Sequence, residues 1–154
     1  MYPYLLVAVG GALGSMARYG TGVLVGSFWR SSFPLGTMLI NIVGSLAMGL
    51  LVGYLARTTP AWQNDARLFV AVGVLGGFTT FSSFSLDTIA MIERGETGPA
   101  ILYVIVSVGV GLAALFGALA LMRLPAWSAH DSRPWRATKT ACGSTAGSAC
   151  TFPR

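Results

Sequence analysis

The chain has 154 residues, of which 54% are hydrophobic and only 10% are charged. This composition leaves too few polar side chains to cover a water-soluble domain of that size, so it excludes an ordinary soluble globular protein. The net charge is +5, and all charged residues lie outside three long uncharged runs, at 33–56, 68–86 and 97–122. Each run is about as long as a bilayer-spanning helix, which needs roughly 20 apolar residues.

The sequence predicts an all-α membrane protein with four transmembrane helices. The expected spans lie at about residues 4–28, 34–56, 67–92 and 98–122. The connections between them are short, and short connections favour antiparallel neighbours in an up-and-down bundle. Residues 1–124 are therefore expected to form one membrane domain, and residues 125–154 a basic, disordered tail that holds both cysteines.

Glycines spaced four residues apart occur in the first three spans, and this spacing favours close approach of helix backbones. The pairs are Gly10 and Gly14, Gly22 and Gly26, Gly49 and Gly53, and Gly73 and Gly77. They indicate a tightly packed bundle.

The second span carries a stripe of neutral hydrogen-bonding residues, because Thr37, Asn41 and Ser45 recur every four residues. The amide of Asn41 needs partners inside the bilayer, either across a helix interface or along a wet pathway. The fourth span has a similar pattern in Tyr103 and Ser107. Two such stripes favour the pathway.

The third span is predicted to be broken in its centre, at the run Gly-Gly-Phe-Thr-Thr-Phe-Ser-Ser-Phe-Ser that starts at Gly76. Adjacent glycines followed by threonines and serines are poor helix formers. The carbonyl groups from Gly76 to Thr79 are candidates to coordinate a cation, whereas helix amino ends and hydroxyls favour an anion. Phe78, Phe81 and Phe84 recur at every third residue, typical of packing, yet the positive edges of their rings also attract anions.

The ionisable residues argue against an enzyme. No acidic residue lies in the middle of a span, and Asp87, the nearest, is expected to pair at a helix end or with a loop. The single histidine, His130, lies in the tail, and no cluster has the spacing of metal ligands. We therefore expect no catalytic site, no transition-metal centre and no nucleic-acid partner.

Cationic residues near the span ends predict a dual topology. If the amino terminus is cytoplasmic, three arginines lie inside and three outside, so neither orientation is preferred. The inside set is Arg57, Arg67 and Arg123, and the outside set is Arg18, Arg30 and Arg94.

The chain resembles the CrcB/Fluc family of fluoride channels over roughly residues 4–123. The resemblance lies in three segments: the run from Gly76 to Ser85, the Asn41-bearing stretch that starts at Pro34, and the Gly-Gly-Ala-Leu-Gly-Ser-Met-Ala-Arg-Tyr segment that starts at Gly10. It implies an antiparallel homodimer in the cell membrane, with two fluoride pores and a structural sodium ion where the two broken helices cross.

The resemblance also implies roles for individual residues. The pore residues that it implies are Asn41, Phe81, Phe84, Tyr103, Ser107 and Thr37, with Arg18 near a pore mouth, and the sodium ligands are the carbonyls of Gly76 and Thr79. Gly111 departs from the pattern, because a further hydroxyl is expected at its position. The mechanism implied is passive export of fluoride, which relieves its toxicity.

Two other functions fit the same number of spans. A small dual-topology exporter of cationic drugs has this size but depends on a glutamate in its first span, and this chain has none there. A membrane scaffold subunit that transports nothing would need the glycines only for packing.

Overall fold

The computed structural model describes residues 1–123, and all regular structure within that range is helical. Helix α1 is Tyr2–Phe28 and α2 is Leu35–Thr58. The next helix, α3, has three contiguous parts, Gln63–Ala66, the π-helical Arg67–Leu75 and Gly76–Phe78. Helix α4 is Phe81–Glu93 and α5 is Thr97–Arg123. The predicted tail, with Cys142 and Cys150, lies outside the described residues.

Three segments are long and apolar enough to cross a membrane: α2, the stretch Gln63–Glu93 that contains α3 and α4, and α5. The protein is therefore a multi-pass membrane protein, as its composition predicts. Helix α1 is not one of the three, although its 27 residues make it as long as α5.

Glycines bring the helix backbones close together at two interfaces. A Cβ atom on Gly77 of α3 would lie 2.6 Å from the carbonyl oxygen of Gly11 in α1. On α2, a Cβ atom on Gly49 would lie 2.6 Å from the carbonyl oxygen of Leu115 in α5. The prediction of close packing holds at these interfaces, but not for Gly22 and Gly26, because no described atom lies within 4 Å of either added Cβ.

The helices α4 and α5 bury a small core beside the loops that join α1 to α2 and α4 to α5. Met91, Ala100 and Tyr103 are at most 1% exposed, and Phe33, Met38 and Phe84 pack against them. In the loops, Arg94 donates to Glu96 Oε2 at 3.0 Å, and Ser32 donates to Glu96 Oε1 at 3.2 Å. These contacts join the two loops above the core.

The third span is interrupted at the position that the sequence predicts. Helix α3 ends at Phe78 and α4 begins at Phe81, and Thr79 and Thr80 between them are extended, with ψ of 155° and 115°. The wider π-helical turns of α3 end at Leu75, one short α-helical turn before the interruption, and such turns often mark functional sites. Backbone groups released at this depth need other partners, because lipid offers none.

Candidate functional site

Asn41 of α2 holds the interruption in place. Its side-chain Nδ2 donates to the carbonyl oxygen of Thr80 at 3.1 Å, and its Oδ1 accepts from the amide of Thr80 at 2.9 Å. Both polar main-chain groups of Thr80 are thus satisfied by one side chain, and Thr80 is only 7% exposed. Asn41 therefore joins two helices, the first of the two roles that the sequence allowed, and it also lines a cavity described below.

The same contacts release the two carbonyl groups that the sequence proposes as cation ligands. In a continuous helix the amide of Thr80 would reach the carbonyl of Gly76, and the amide of Ser83 would reach that of Thr79. Instead, Thr80 donates to Asn41, and Ser83 donates to the hydroxyl of Thr80 at 3.2 Å. The oxygens of Gly76 and Thr79 are left without these helical donors.

Thr80 is the residue that the sequence analysis missed as a partner of Asn41. It is the N-cap of α4, and its side-chain oxygen accepts from the amide of Ser83. Its hydroxyl also donates to Ser83 Oγ at 3.1 Å and lies 3.2 Å from Ser82 Oγ. A threonine directly before a new helical run is a recognisable capping signal and would have located the start of α4.

A cavity of about 350 Å³ lies beside the interruption. Its polar wall is formed by amide and hydroxyl groups, and no charged residue lines it. The lining residues used below are Asn41, Ser45, Thr79, Thr80, Phe81, Phe84 and Ser107. Ser107 is 7% exposed, and its hydroxyl has no hydrogen-bond partner among residues 1–123. The wall thus offers neutral donors to whatever enters.

Three aromatic rings form a row along this cavity and behind it. Phe81 is 80% exposed, and its ring centroid lies 5.8 Å from that of Phe84. The ring of Phe84 lies 5.2 Å from that of Tyr103, which is completely buried. Such exposure of Phe81 beside a polar cavity leaves one side of the site without a protein wall in the single chain.

A second cavity, of about 560 Å³, lies between α1, α2 and α4. Arg18, Thr37 and Asp87 line it, and Thr80 lines both cavities. The Oδ2 atom of Asp87 is buried and has no hydrogen-bond partner in the described part of the chain. The expectation that Asp87 pairs at a helix end is therefore wrong for this oxygen, which sequence position alone could not reveal.

The structure thus distributes the predicted site residues over several places. Asn41, Phe81, Phe84 and Ser107 line the first cavity together with Thr79, whereas Arg18 and Thr37 line the second. Tyr103 lines neither, and its hydroxyl has no hydrogen-bond partner within 1–123 although Thr37 and Asp87 are its neighbours. Gly76 also lies outside both linings.

Among the described residues, no group of three or more His, Cys, Asp or Glu side chains could hold a metal ion.

A broken membrane helix between two cavities with polar linings defines a class of multi-pass proteins in which irregular backbone faces a cavity or pathway. Residues 5–119 match the family described as CrcB-like protein, Camphor Resistance (CrcB). The chain belongs to this CrcB family.

Several named proteins are similar to this chain over most of their own length. "Fluoride-specific ion channel FluC 2" of Nitrobacter hamburgensis is 52% identical over 120 residues, which cover 78% of this chain and 96% of the relative. "Fluoride-specific ion channel FluC" of Hyphomonas neptunium is 50% identical over 80% of this chain and 97% of its own. The protein of the same name from Thermus thermophilus is 50% identical over 73% and 88%.

Proposed function

We propose that this protein is a fluoride channel that exports fluoride passively across the cell membrane and so relieves its toxicity. The observation that carries the proposal is the first cavity, where neutral donors and phenylalanine rings adjoin a helix interruption held by Asn41. The relatives named as fluoride-specific channels, about half identical to this chain, support the choice of ion.

The lining chemistry suits a small, strongly hydrated anion. Fluoride gives up its water only where donors replace it, and the amide of Asn41 and the hydroxyl of Ser107 are such donors. The edges of the rings of Phe81 and Phe84 carry partial positive charge and add to the attraction. No carboxylate lines this cavity, so no negatively charged side chain in its wall repels the anion.

The remaining pore residues extend the pathway toward the second cavity. Thr80 lines both cavities, so the two lie on either side of this residue, and in this proposal the ion passes from one to the other there. Thr37 supplies a hydroxyl there, and Arg18 supplies a positive charge that attracts anions to the mouth. The ring of Tyr103 packs against that of Phe84, and its hydroxyl has Thr37 and Asp87 of the second cavity as neighbours.

The membrane potential drives the ion outward without a coupled reaction, so the protein is a channel and not an enzyme. A negative cell interior favours anion exit by about 2.3 kcal/mol per charge for each 100 mV. In the alternative of a drug exporter, a glutamate in the first span would be required, and α1 contains no acidic residue.

The working unit in this proposal is an antiparallel homodimer of four-span subunits with dual topology. Helix α1 counts as the fourth span, because its 27 residues extend about 40 Å, more than the hydrocarbon thickness of about 30 Å. The exposed ring of Phe81 supports a dimer, since a second copy would supply the missing wall of the first cavity.

A sodium ion is proposed at the interruption, held by the carbonyl oxygens of Gly76 and Thr79 from both copies. These oxygens fit a hard cation, because the helical donors that would occupy them bind elsewhere. The ion would supply a fixed positive charge between the two copies. The residues of this chain hold the carbonyls in place through the clamp of Asn41 on Thr80.

Fluoride efflux from liposomes tests the proposal. The purified protein is reconstituted into vesicles loaded with potassium fluoride or potassium chloride, and valinomycin starts efflux, which ion-selective electrodes record. Rapid efflux of fluoride with little release of chloride is expected. Equal release of both ions would contradict fluoride selectivity, and no release would favour the scaffold.

A further inference from the structure

Most hydroxyl groups that lie away from the two cavities bond back to their own helix. Thr21 donates to the carbonyl of Ala17 at 2.8 Å, and Ser27 donates to that of Leu24 at 2.7 Å. Thr58 donates to the carbonyl of Tyr54 at 3.0 Å. This local bond is the ordinary way in which a helical serine or threonine satisfies its hydroxyl among apolar neighbours.

Ser45 and Ser107 behave differently. Both line the first cavity, neither is among the hydroxyls that bond back to their own helix, and the buried hydroxyl of Ser107 has no hydrogen-bond partner within the described residues. A hydroxyl left unpaired in apolar surroundings costs free energy unless water or a ligand binds it. The lining of the first cavity therefore contains two hydroxyl groups that are free to donate, one on α2 and one on α5.

Gly111 of α5 lies beside the hydroxyl of Ser45. Gly111 is buried one helical turn after Ser107, and a Cβ atom added to it would lie 3.5 Å from Ser45 Oγ. Because glycine has no side chain, Ser45 is the hydroxyl-bearing residue of this facing pair.

We infer that Ser45 of α2, together with Ser107 of α5, donates a hydrogen bond to the anion in the first cavity. The inference rests on the proposed function and adds a second donor on α2, one helical turn after Asn41, to the hydroxyl of Ser107 on α5. The cavity wall carries no charged side chain, so each neutral donor replaces a share of the ion's water. Ser45 thus supplies from α2 the hydroxyl that α5 lacks at Gly111.

The test moves the hydroxyl from position 45 on α2 to position 111 on α5. Ser45→Ala is expected to lower the initial rate of fluoride efflux about tenfold, because one hydrogen bond to a charged partner is lost. Ser45→Ala combined with Gly111→Ser returns a hydroxyl to the same space and is expected to recover most of the rate. Ser45→Ala combined with Gly111→Ala has the same added Cβ without the hydroxyl and is expected to stay slow.

The comparison of the two double variants decides the role even if Ser45→Ala alone folds poorly, because they differ only by one hydroxyl. Equal rates in both double variants would overturn the inference, as would an unchanged rate in Ser45→Ala. Ser27→Ala removes a hydroxyl that is bonded to its own helix and should retain the wild-type rate. Absence of efflux from the wild type would instead contradict the proposed function itself.

Discussion

Asn41 and Thr80 are joined by two hydrogen bonds, of 3.1 and 2.9 Å, so a side chain on α2 accepts from the amide that the broken helix leaves without a main-chain acceptor and donates to the carbonyl of the same residue. Buried N–H and C=O groups must be paired inside a membrane, where no water reaches the lipid-facing backbone. The interruption is therefore stable because α2 presents one amide at the right depth. Any change to that amide should alter both the shape of the interruption and the cavity beside it.

Asn41→Asp should abolish fluoride efflux almost completely. A carboxylate cannot donate to the carbonyl of Thr80, and its negative charge would repel an anion from the first cavity. Loss of this hydrogen bond, with a carboxylate facing the carbonyl oxygen instead, should also lower the free energy of unfolding by about 1–3 kcal/mol. Liposome efflux and thermal unfolding in detergent measure the two effects.

Asn64 provides the control for that substitution. It is exposed on the first part of α3 and lines neither cavity, so Asn64→Asp makes the same chemical change away from the site. Efflux at the wild-type rate is expected from this variant. If Asn41→Asp conducts as fast as Asn64→Asp, the role of Asn41 in the pathway is refuted.

Phe81→Ile should reduce fluoride efflux at least tenfold with little effect on the stability of the single chain. The ring is 80% exposed, so its removal opens no internal void, but it takes away the ring edge at the cavity. Phe116→Ile is the matched control, because Phe116 is 67% exposed and lines neither cavity. Equal efflux from the two variants, measured with a fluoride electrode, would remove Phe81 from the pathway.

Gly49→Ala should destabilise the packing of α2 on α5. The added methyl group would lie 2.6 Å from the carbonyl oxygen of Leu115 and 2.8 Å from the Cβ of Ala118. The clash can be relieved only if the backbone of α2 or α5 shifts. We expect a loss of about 1–3 kcal/mol in the free energy of unfolding. Gly117→Ala, in open space on α5, should be neutral or slightly stabilising. Equal midpoints in thermal unfolding would contradict the close approach.

The loop pair should make stability depend on pH in a defined direction. The hydrogen bond from Arg94 holds the pKa of the Glu96 carboxyl below its ordinary value of 4.5. A lowered pKa means that the stabilisation is present above pH 4.5 and is lost as the pH falls through the lower value of the folded state. Glu96→Gln should therefore lower the unfolding midpoint slightly at pH 7 and not at pH 3.

The exposed Glu93, which lies one residue before Arg94, supplies the control for this pH effect. Glu93→Gln removes a carboxylate that forms no ion pair within residues 1–123. Its unfolding midpoint should follow that of the wild type at both pH values. A difference between Glu96→Gln and wild type that persists at pH 3 would show that the charge of Glu96 is not the cause.

The sequence predicted the helices and the interruption because their signals are local. Hydrophobic length marks the spans, and the glycines followed by threonines at 76–80 mark the break. Contacts between distant residues have no such signal. The clamp of Asn41 on Thr80 joins residues 39 positions apart, and the buried, unpaired oxygen of Asp87 depends on how α4 packs. The resemblance and the residue spacing predicted the candidate residues of the site but not their division between two cavities.

Thr80→Val should weaken the binding of sodium at the proposed site. The hydroxyl of Thr80 now accepts from the amide of Ser83, which keeps that amide away from the carbonyl of Thr79. Valine cannot accept, so the Ser83 amide should return to Thr79 and occupy the oxygen proposed as a sodium ligand. Thermal unfolding is measured as sodium replaces N-methyl-D-glucamine; the wild-type midpoint should rise with sodium and that of Thr80→Val should not.

Thr80→Ser retains the acceptor and should respond as the wild type does. Loss of the sodium response in Thr80→Ser would show that sodium binding does not depend on the capping hydroxyl alone. Thr88→Val, whose hydroxyl bonds only to Phe84 of its own helix, should keep the response; if Thr80→Val keeps it equally, the released carbonyl of Thr79 is not a ligand.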